Sequence, residues 1–178
     1  MSVSTLILGD SLVRELPDNS KYSKLFYPGI DCRGLSEKIS VGELDKYLRS
    51  VSLVILLIGT NDVPLSFPDR VARKILSVAL VLRGRFRGLT VAIAGIIPRL
   101  SDNGIYQYAT KFCNKSLEAI VTGDSHIKLL RSYRAFLSWD APRRSHLSVD
   151  GLHLSEQGLK ALYRGFMSAI YSHEKTRL

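Results

Sequence analysis

The sequence has little cysteine and little tryptophan for its length. Its 178 residues include two cysteines, Cys32 and Cys113, and one tryptophan. Two cysteines form at most one disulfide bond, and neither stands in a CxxC or Cys/His spacing typical of a redox or zinc site. We therefore exclude a fold held together by disulfides and expect a reducing compartment, the cytoplasm.

Long hydrophobic runs are also lacking. A membrane-spanning helix needs about 20 consecutive apolar residues, and a signal peptide needs basic residues before its apolar stretch. The apolar run at residues 3–8 is short, has no basic residue before it and is followed at once by Gly9-Asp10. We predict a buried strand there, with neither a signal peptide nor a transmembrane segment.

The sequence has fewer acidic residues than basic ones. Lys and Arg total 25 and Asp and Glu total 16, which gives a net charge of +9. This surplus favours contact with polyanions such as nucleic acid or an anionic membrane, without deciding between them. In the densest basic segments, at residues 70–74, 83–87, 131–134 and 143–144, aromatic residues are not interleaved in the manner of a protein that binds single-stranded nucleic acid. Solvated faces are therefore favoured over a specific binding patch.

The remaining composition is that of one globular domain. Hydrophobic residues make up 46% and charged residues 23% of the chain, which excludes disorder and collagen-like repeats. No internal repeat or linker is recognisable. We expect residues 1–173 to form a single domain and residues 174–178 to be a frayed tail.

Short β-rich runs alternate with segments of helical periodicity. The predicted strands are residues 3–8, 24–27, 51–58, 90–97 and 127–130. The predicted amphipathic helices are residues 68–82, 103–121 and a last helix that follows an N-cap at Ser155. The alternation predicts an α/β fold, and the largely apolar strands indicate a mainly parallel five-stranded sheet covered by helices on both faces.

Two polar segments directly follow predicted strands. Gly9-Asp10-Ser11-Leu12 follows the first strand, and Gly59-Thr60-Asn61-Asp62 follows the third. Open α/β sheets bind ligands at the carboxyl ends of their strands, where Ser11 suits a nucleophile and the Asn61 amide can stabilise an oxyanion. Taken alone, the first segment is more typical of an ordinary turn than of a catalytic site, and a turn is also the alternative for the second.

A third segment, Asp150-Gly151-Leu152-His153, precedes the last helix. A carboxylate three residues before a histidine can fold back onto the imidazole, select its tautomer and stabilise its protonated form. The alternative is that Asp150 only caps a turn. The other three histidines, His126, His146 and His173, have no comparable acidic neighbour, and we expect them to be surface or structural residues.

The three segments together resemble the SGNH/GDSL hydrolase superfamily, and the resemblance spans nearly the whole chain. It implies a three-layer α/β/α sandwich of flavodoxin-like character and ester hydrolysis through an acyl-serine intermediate. Ser11 would be the nucleophile, His153 the base and Asp150 the residue that orients it. The resemblance implies neither a metal ion nor a cofactor.

The implied oxyanion hole consists of the Ser11 backbone N–H, the Asn61 amide and a glycine N–H after the second strand. Gly29, in Tyr27-Pro28-Gly29-Ile30, matches that glycine best, and Gly34 is the alternative. The residues that usually surround this glycine are absent here. Asp10 and Asp62 also match positions in the family, where we expect them to organise loops.

Within the superfamily, Ile97-Pro98-Arg99 and the segment around His153 are similar to the compact acetylhydrolase branch. They are also similar to esterase domains in the first open reading frame of some LINE-type retrotransposons. This implies a small ester or lipid substrate, most simply an acetyl ester. The alternative is a basic module that binds nucleic acid or anionic lipid. A dinucleotide or phosphate site is disfavoured, because neither G-x-G-x-x-G nor a P-loop is present.

Overall fold

The computed structural model describes residues 4–100 and 104–176. Its centre is a parallel five-stranded sheet with the order β2-β1-β3-β4-β5. The strands are β1 (Thr5–Gly9), β2 (Ser23–Phe26), β3 (Leu53–Leu57), β4 (Thr90–Ala94) and β5 (Ile127–Leu130). The five strands predicted from the sequence are thus confirmed, with boundaries shifted by a few residues.

Six α-helices connect and cover the strands within the described ranges. They are α1 (Ser11–Arg14), α2 (Cys32–Ser40), α3 (Asp45–Leu48), α4 (Pro68–Arg85), α5 (Gly104–Ile120) and α6 (Glu156–Lys175). A small antiparallel pair, β6 (Leu137–Ser138) and β7 (Ala141–Pro142), lies between β5 and α6. The short helices α1, α2 and α3 were not predicted, because none is long enough to show a clear helical period.

The core is divided into two layers by the sheet. Alternate strand residues point to opposite faces, with Leu6, Leu8, Val54 and Leu56 on one side and Ile7, Leu53, Ile55 and Leu57 on the other. The first layer packs against α2, α4 and α5, and the second packs against α1 and α6. The predicted three-layer α/β/α sandwich is therefore confirmed.

Strand β4 ends at Ala94, three residues before its predicted end. Beyond this end, the side-chain amide of Asn114 on α5 pairs with the Ile96 backbone in place of a neighbouring strand. Its Oδ1 accepts from the Ile96 N–H and its Nδ2 donates to the Ile96 carbonyl, both at 2.8 Å. The apolar run therefore continues beyond β4, at the carboxyl edge of the sheet, as a buried segment without regular secondary structure.

Two predicted elements begin at residues that the structure does not describe. Residue 3 of the first predicted strand and residue 103 of the second predicted helix lie outside the described residues.

The last helix extends to Lys175, and Glu174 in its last turn forms an ion pair with Lys21 at 3.2 Å. The frayed tail expected from residue 174 stays a prediction, although its first two residues continue α6. Residues 177 and 178 lie outside the described part.

None of the helices in the described part of the chain is both long and apolar enough to cross a membrane.

Candidate active site

The residues that the sequence analysis singled out come together at the carboxyl edge of the sheet. Ser11 follows β1, Gly29 follows β2 and Asn61 follows β3, while His153 precedes α6. All four line one cavity of about 200 Å³. The complete lining is Asp10, Ser11, Leu12, Gly29, Thr60, Asn61, Arg99, Leu152 and His153.

Ser11 is presented to this cavity by a sharp turn between β1 and α1. A Cβ atom on Gly9 would lie 2.0 Å from the Leu57 carbonyl oxygen, so only glycine allows β1 to run this close to β3 before the turn. Asp10 then caps α1, because its Oδ1 accepts from the Leu12 N–H at 3.0 Å. Ser11 is the first helical residue, and its N–H has no partner within the helix.

Asp10 itself is an unusual carboxylate. It is 2% exposed, and its Oδ2 has no hydrogen-bond partner among the described residues. Burial raises its pKa to about 6, against the opposing effects of the Leu12 N–H and the Arg99 charge. The expected role of Asp10 as a loop organiser agrees with its cap, but its second oxygen is an isolated buried acceptor beside Ser11.

The Asn61 amide is held in a fixed orientation. Its Nδ2 donates to the Ile30 carbonyl oxygen at 2.8 Å, which links the loop after β3 to the turn after β2. Gly59 begins this loop with φ +107°, a conformation that residues with a side chain rarely adopt. An amide nitrogen carries two hydrogens, so Asn61 retains one N–H for the cavity.

Asp62 lies behind the cavity and is 1% exposed. Its Oδ2 accepts from the Cys32 N–H at 2.9 Å, and its Oδ1 lies 3.3 Å from Lys74 Nζ. This carboxylate thus joins the loop after β3 to both α2 and α4, which agrees with the expected role of a loop organiser.

The two candidate glycines occupy different environments. Gly29 lines the cavity with φ +74°, and its N–H has no partner among the described residues. Gly34 lies inside α2, where its N–H donates to Asp31 Oδ1 at 2.8 Å. Because that donor is already engaged in capping α2, the geometry favours Gly29 over Gly34 as a donor toward the cavity.

Asp150 contacts His153 directly. Asp150 Oδ2 lies 2.6 Å from His153 Nδ1, while Oδ1 accepts from the backbone N–H groups of Leu152 and His153 at 2.8 and 2.9 Å. Ser148 Oγ also donates to Oδ1. The His153 imidazole and these donors hold the pKa of Asp150 well below its usual range. Asp150 thus both caps the turn and orients the imidazole, so the two readings of the sequence are compatible.

The other imidazole nitrogen faces α1. His153 Nε2 lies 4.0 Å from Oε1 of Glu15, the residue that ends α1 one turn after Ser11. The Ser11 hydroxyl has no hydrogen-bond partner among the described residues. Glu15 was not singled out in the sequence, since a carboxylate at the end of a short unpredicted helix gives no pattern.

Arg99 is a charged residue in the lining of the cavity that the sequence analysis did not identify as a site residue. It follows β4 and lies with its guanidinium carbon 5.1 Å from the ring centre of Tyr106. The signal that could have identified it is its position after a strand, at the same sheet edge as Ser11 and Asn61.

The remaining histidines lie away from this cavity. His173 Nε2 is 3.2 Å from Ser52 Oγ, and His146 packs edge-on against Phe136. A larger cavity of about 460 Å³ lies between α5 and the chain after β5, but none of the predicted site residues lines it. Within residues 4–100 and 104–176, no three Cys, His, Asp or Glu side chains are grouped so that they could hold a metal ion.

A parallel three-layer sandwich carries a serine, an asparagine amide and an Asp–His pair at one sheet edge. This is the fold of the SGNH/GDSL hydrolases, and the resemblance seen in the sequence is confirmed at the level of the fold. No protein-family model matches this sequence, and no curated protein shows significant sequence similarity to it.

Three solved structures illustrate the similarity. A GDSL-like lipase from Bacteroides thetaiotaomicron is 19% identical with a TM-score of 0.76, over 95% of this chain and 88% of the other. A carbohydrate esterase of family 3 from Talaromyces cellulolyticus is 14% identical with a TM-score of 0.73, over 98% and 99%. The esterase domain of the zebrafish ZfL2-1 retrotransposon ORF1 protein is 20% identical with a TM-score of 0.51, over 94% and 98%.

Proposed function

We propose that this protein is a serine esterase that hydrolyses esters of small acyl groups, acetyl in particular. Ser11 is the nucleophile, His153 the general base and Asp150 the residue that orients His153. The observation that supports this most directly is the 2.6 Å contact between Asp150 and His153, with His153 and Ser11 lining the same cavity. The fold shared with lipases and esterases supports the same conclusion.

In the first step of this mechanism, Ser11 Oγ attacks the ester carbonyl carbon and its proton passes to His153 Nε2. Asp150 accepts from the Nδ1–H, which leaves Nε2 as the basic nitrogen. The Ser11 hydroxyl is unbonded among the described residues, so a side-chain rotation that brings Oγ to Nε2 breaks no hydrogen bond there.

The carbonyl oxygen becomes an oxyanion in this step. The donors available to it are the Ser11 N–H, the Gly29 N–H and the second N–H of Asn61. Preorganised donors stabilise the transition state because they need not reorient as charge develops. The bond from Asn61 to the Ile30 carbonyl supplies this preorganisation.

The intermediate then expels the alcohol, which takes the proton from His153 and leaves an acyl group on Ser11. Water attacks this acyl-serine with His153 again as base, which releases the acid and restores the serine. A cavity of about 200 Å³ has room for a short acyl chain. This limited volume is the reason for proposing a small acyl group.

The test is a series of p-nitrophenyl esters from acetyl through butyryl to octanoyl. We expect the acetyl ester to give the highest kcat/KM, and Ser11→Ala to lower kcat by several orders of magnitude. Ser77→Ala, an exposed serine on α4, is the matched control and keeps full activity. Activity should persist with a chelator present. Full activity of Ser11→Ala would refute the proposal.

The charge of +9 raises polyanion binding as a second candidate. Several residues of the basic segments are already paired within the fold: Arg131 and Arg134 with Glu118, Arg85 with Asp45 and Lys74 with Asp62. This leaves fewer free cations than the sequence indicates. Binding of a labelled single-stranded RNA that weakens steeply as salt rises from about 50 to about 300 mM would support the second candidate. Hydrolysis of a neutral ester should change little over that range.

A further inference from the structure

Arg99 is the one arginine that lines the cavity of Ser11 among the described residues. It is half-buried, and no carboxylate within the described ranges forms an ion pair with it. A guanidinium carries five N–H donors in a planar fork, which matches the two oxygens of a carboxylate or phosphate. A cation of this kind next to a nucleophile provides an anchor for an anionic group.

The Arg99 guanidinium packs against the buried ring of Tyr106. Its Cζ lies over the ring of Tyr106, 5.1 Å from the ring centre, and the Tyr106 hydroxyl donates to the Thr60 carbonyl at 3.2 Å. Tyr106 is 6% exposed and therefore forms a firm support. This cation–π contact pairs none of the guanidinium N–H groups with an oxygen acceptor, so they can still bind the oxygens of an anion.

Asp10, the acidic residue in the lining of this cavity, does not engage Arg99 directly. Asp10 lines the same cavity, but its Oδ2 has no hydrogen-bond partner among the described residues and its Oδ1 bonds Leu12. Arg99 therefore influences Asp10 only through space. Its donors are not used by Asp10 and can bind a second anion in the cavity.

We propose that Arg99 determines specificity for esters that carry a carboxylate or phosphate close to the scissile bond. This inference rests on the proposed esterase function and names the substrate class of that same site. The anionic group can belong to the acyl part or to the alcohol part, and both sources present the same pair of oxygens to the guanidinium.

The experiment compares three chromogenic esters. p-Nitrophenyl acetate is neutral, mono-p-nitrophenyl succinate carries its carboxylate on the acyl part, and 3-carboxy-4-nitrophenyl acetate carries it on the leaving group. For the wild-type protein we expect at least one anionic ester to exceed the neutral one in kcat/KM. Arg99→Gln should lower the ratio of anionic to neutral kcat/KM by about tenfold or more, chiefly through KM.

Two further variants complete the design. Arg99→Lys keeps the charge but loses the planar fork, so it should retain only part of the preference. Arg87→Gln makes the same charge change in the exposed turn between α4 and β4, at the opposite edge of the sheet, and should leave the ratio unchanged. Melting temperatures of all variants show that they are folded.

The outcomes separate the two proposals. Hydrolysis of the neutral ester, with a ratio that Arg99→Gln does not change, overturns the role of Arg99 and leaves the esterase function intact. An equal loss with Arg87→Gln attributes the preference to net charge and also overturns it. Absence of hydrolysis of all three esters overturns the esterase function and this inference with it.

Discussion

The two carboxylate oxygens of Asp150 have different partners, and one of them is His153. Oδ2 lies 2.6 Å from His153 Nδ1, whereas Oδ1 accepts from two backbone N–H groups of the same turn. The turn thus fixes the carboxylate, and the carboxylate fixes the imidazole. This division makes the catalytic and structural contributions of one side chain separable by mutation.

Asp150→Asn should lower kcat by at least about 10²-fold while the melting temperature changes little. Asparagine keeps Oδ1 for the backbone N–H groups, but its amide nitrogen replaces Oδ2 and stabilises the wrong tautomer of His153. Asp150→Ala should lose both activity and stability, because it also removes the cap. The measurements are kcat and the thermal midpoint for each variant.

The matched control is Ser148→Ala, which removes a donor to Asp150 Oδ1 and leaves the contact with His153 in place. It should retain most of the activity. If kcat of Asp150→Asn equals that of the wild type, Asp150 has no part in the reaction and Ser11 and His153 act as a dyad.

Asn61→Ala should lower kcat by about 10²–10³-fold with little change in KM, since an oxyanion donor acts on charge that appears only in the transition state. A modest fall in melting temperature should accompany it, because the bond to the Ile30 carbonyl is also lost. Steady-state kinetics with p-nitrophenyl acetate test this. A raised KM at constant kcat would instead assign Asn61 to substrate binding.

Asp10 should make stability depend on pH in a direction opposite to that of a paired carboxylate. Its pKa is raised from 3.8 to about 6 in the folded protein. Between these values the folded state binds more protons than the unfolded state, so its contribution is fully present below the lower value and is lost as pH rises through the higher one. A shift of about two units corresponds to on the order of 3 kcal/mol.

Asp10→Ser keeps an N-cap oxygen and removes the titration. We expect the free energy of unfolding of this variant, relative to the wild type, to increase by on the order of 3 kcal/mol from about pH 4 to about pH 7. Urea denaturation at several pH values measures the difference. A difference that does not vary with pH would contradict the raised pKa of Asp10.

Asn114 and Thr110 are both buried polar residues of α5, but their side chains differ in hydrogen bonding. Asn114→Ala removes both bonds to the Ile96 backbone and leaves two buried polar groups unpaired, which should cost about 2–4 kcal/mol. Thr110 Oγ1 is buried without a partner among the described residues, so Thr110→Val should be neutral or slightly stabilising. Denaturation midpoints test both, and equal losses would contradict this account.

The order of elements and three of the polar segments could be read from the sequence. Apolar runs such as residues 53–57 indicate strands buried on both faces, and the carboxyl ends of parallel strands necessarily share one edge of the sheet. Ser11 and Asn61 could therefore be placed at one edge without a structure. Asp150 could be paired with His153 because a spacing of three residues allows a local turn.

Tertiary structure decided what depends on contacts between distant segments. The Asn114 side chain on α5, eighteen residues beyond Ile96, pairs with the Ile96 backbone after the end of β4, and Arg99 follows this segment to the cavity. The choice between Gly29 and Gly34 follows from a helix cap at Asp31 that has no clear signature in the sequence. The burial that raises the pKa of Asp10 likewise comes from the packing around it. Local patterns specify elements and turns, whereas side-chain environments arise only when those elements pack together.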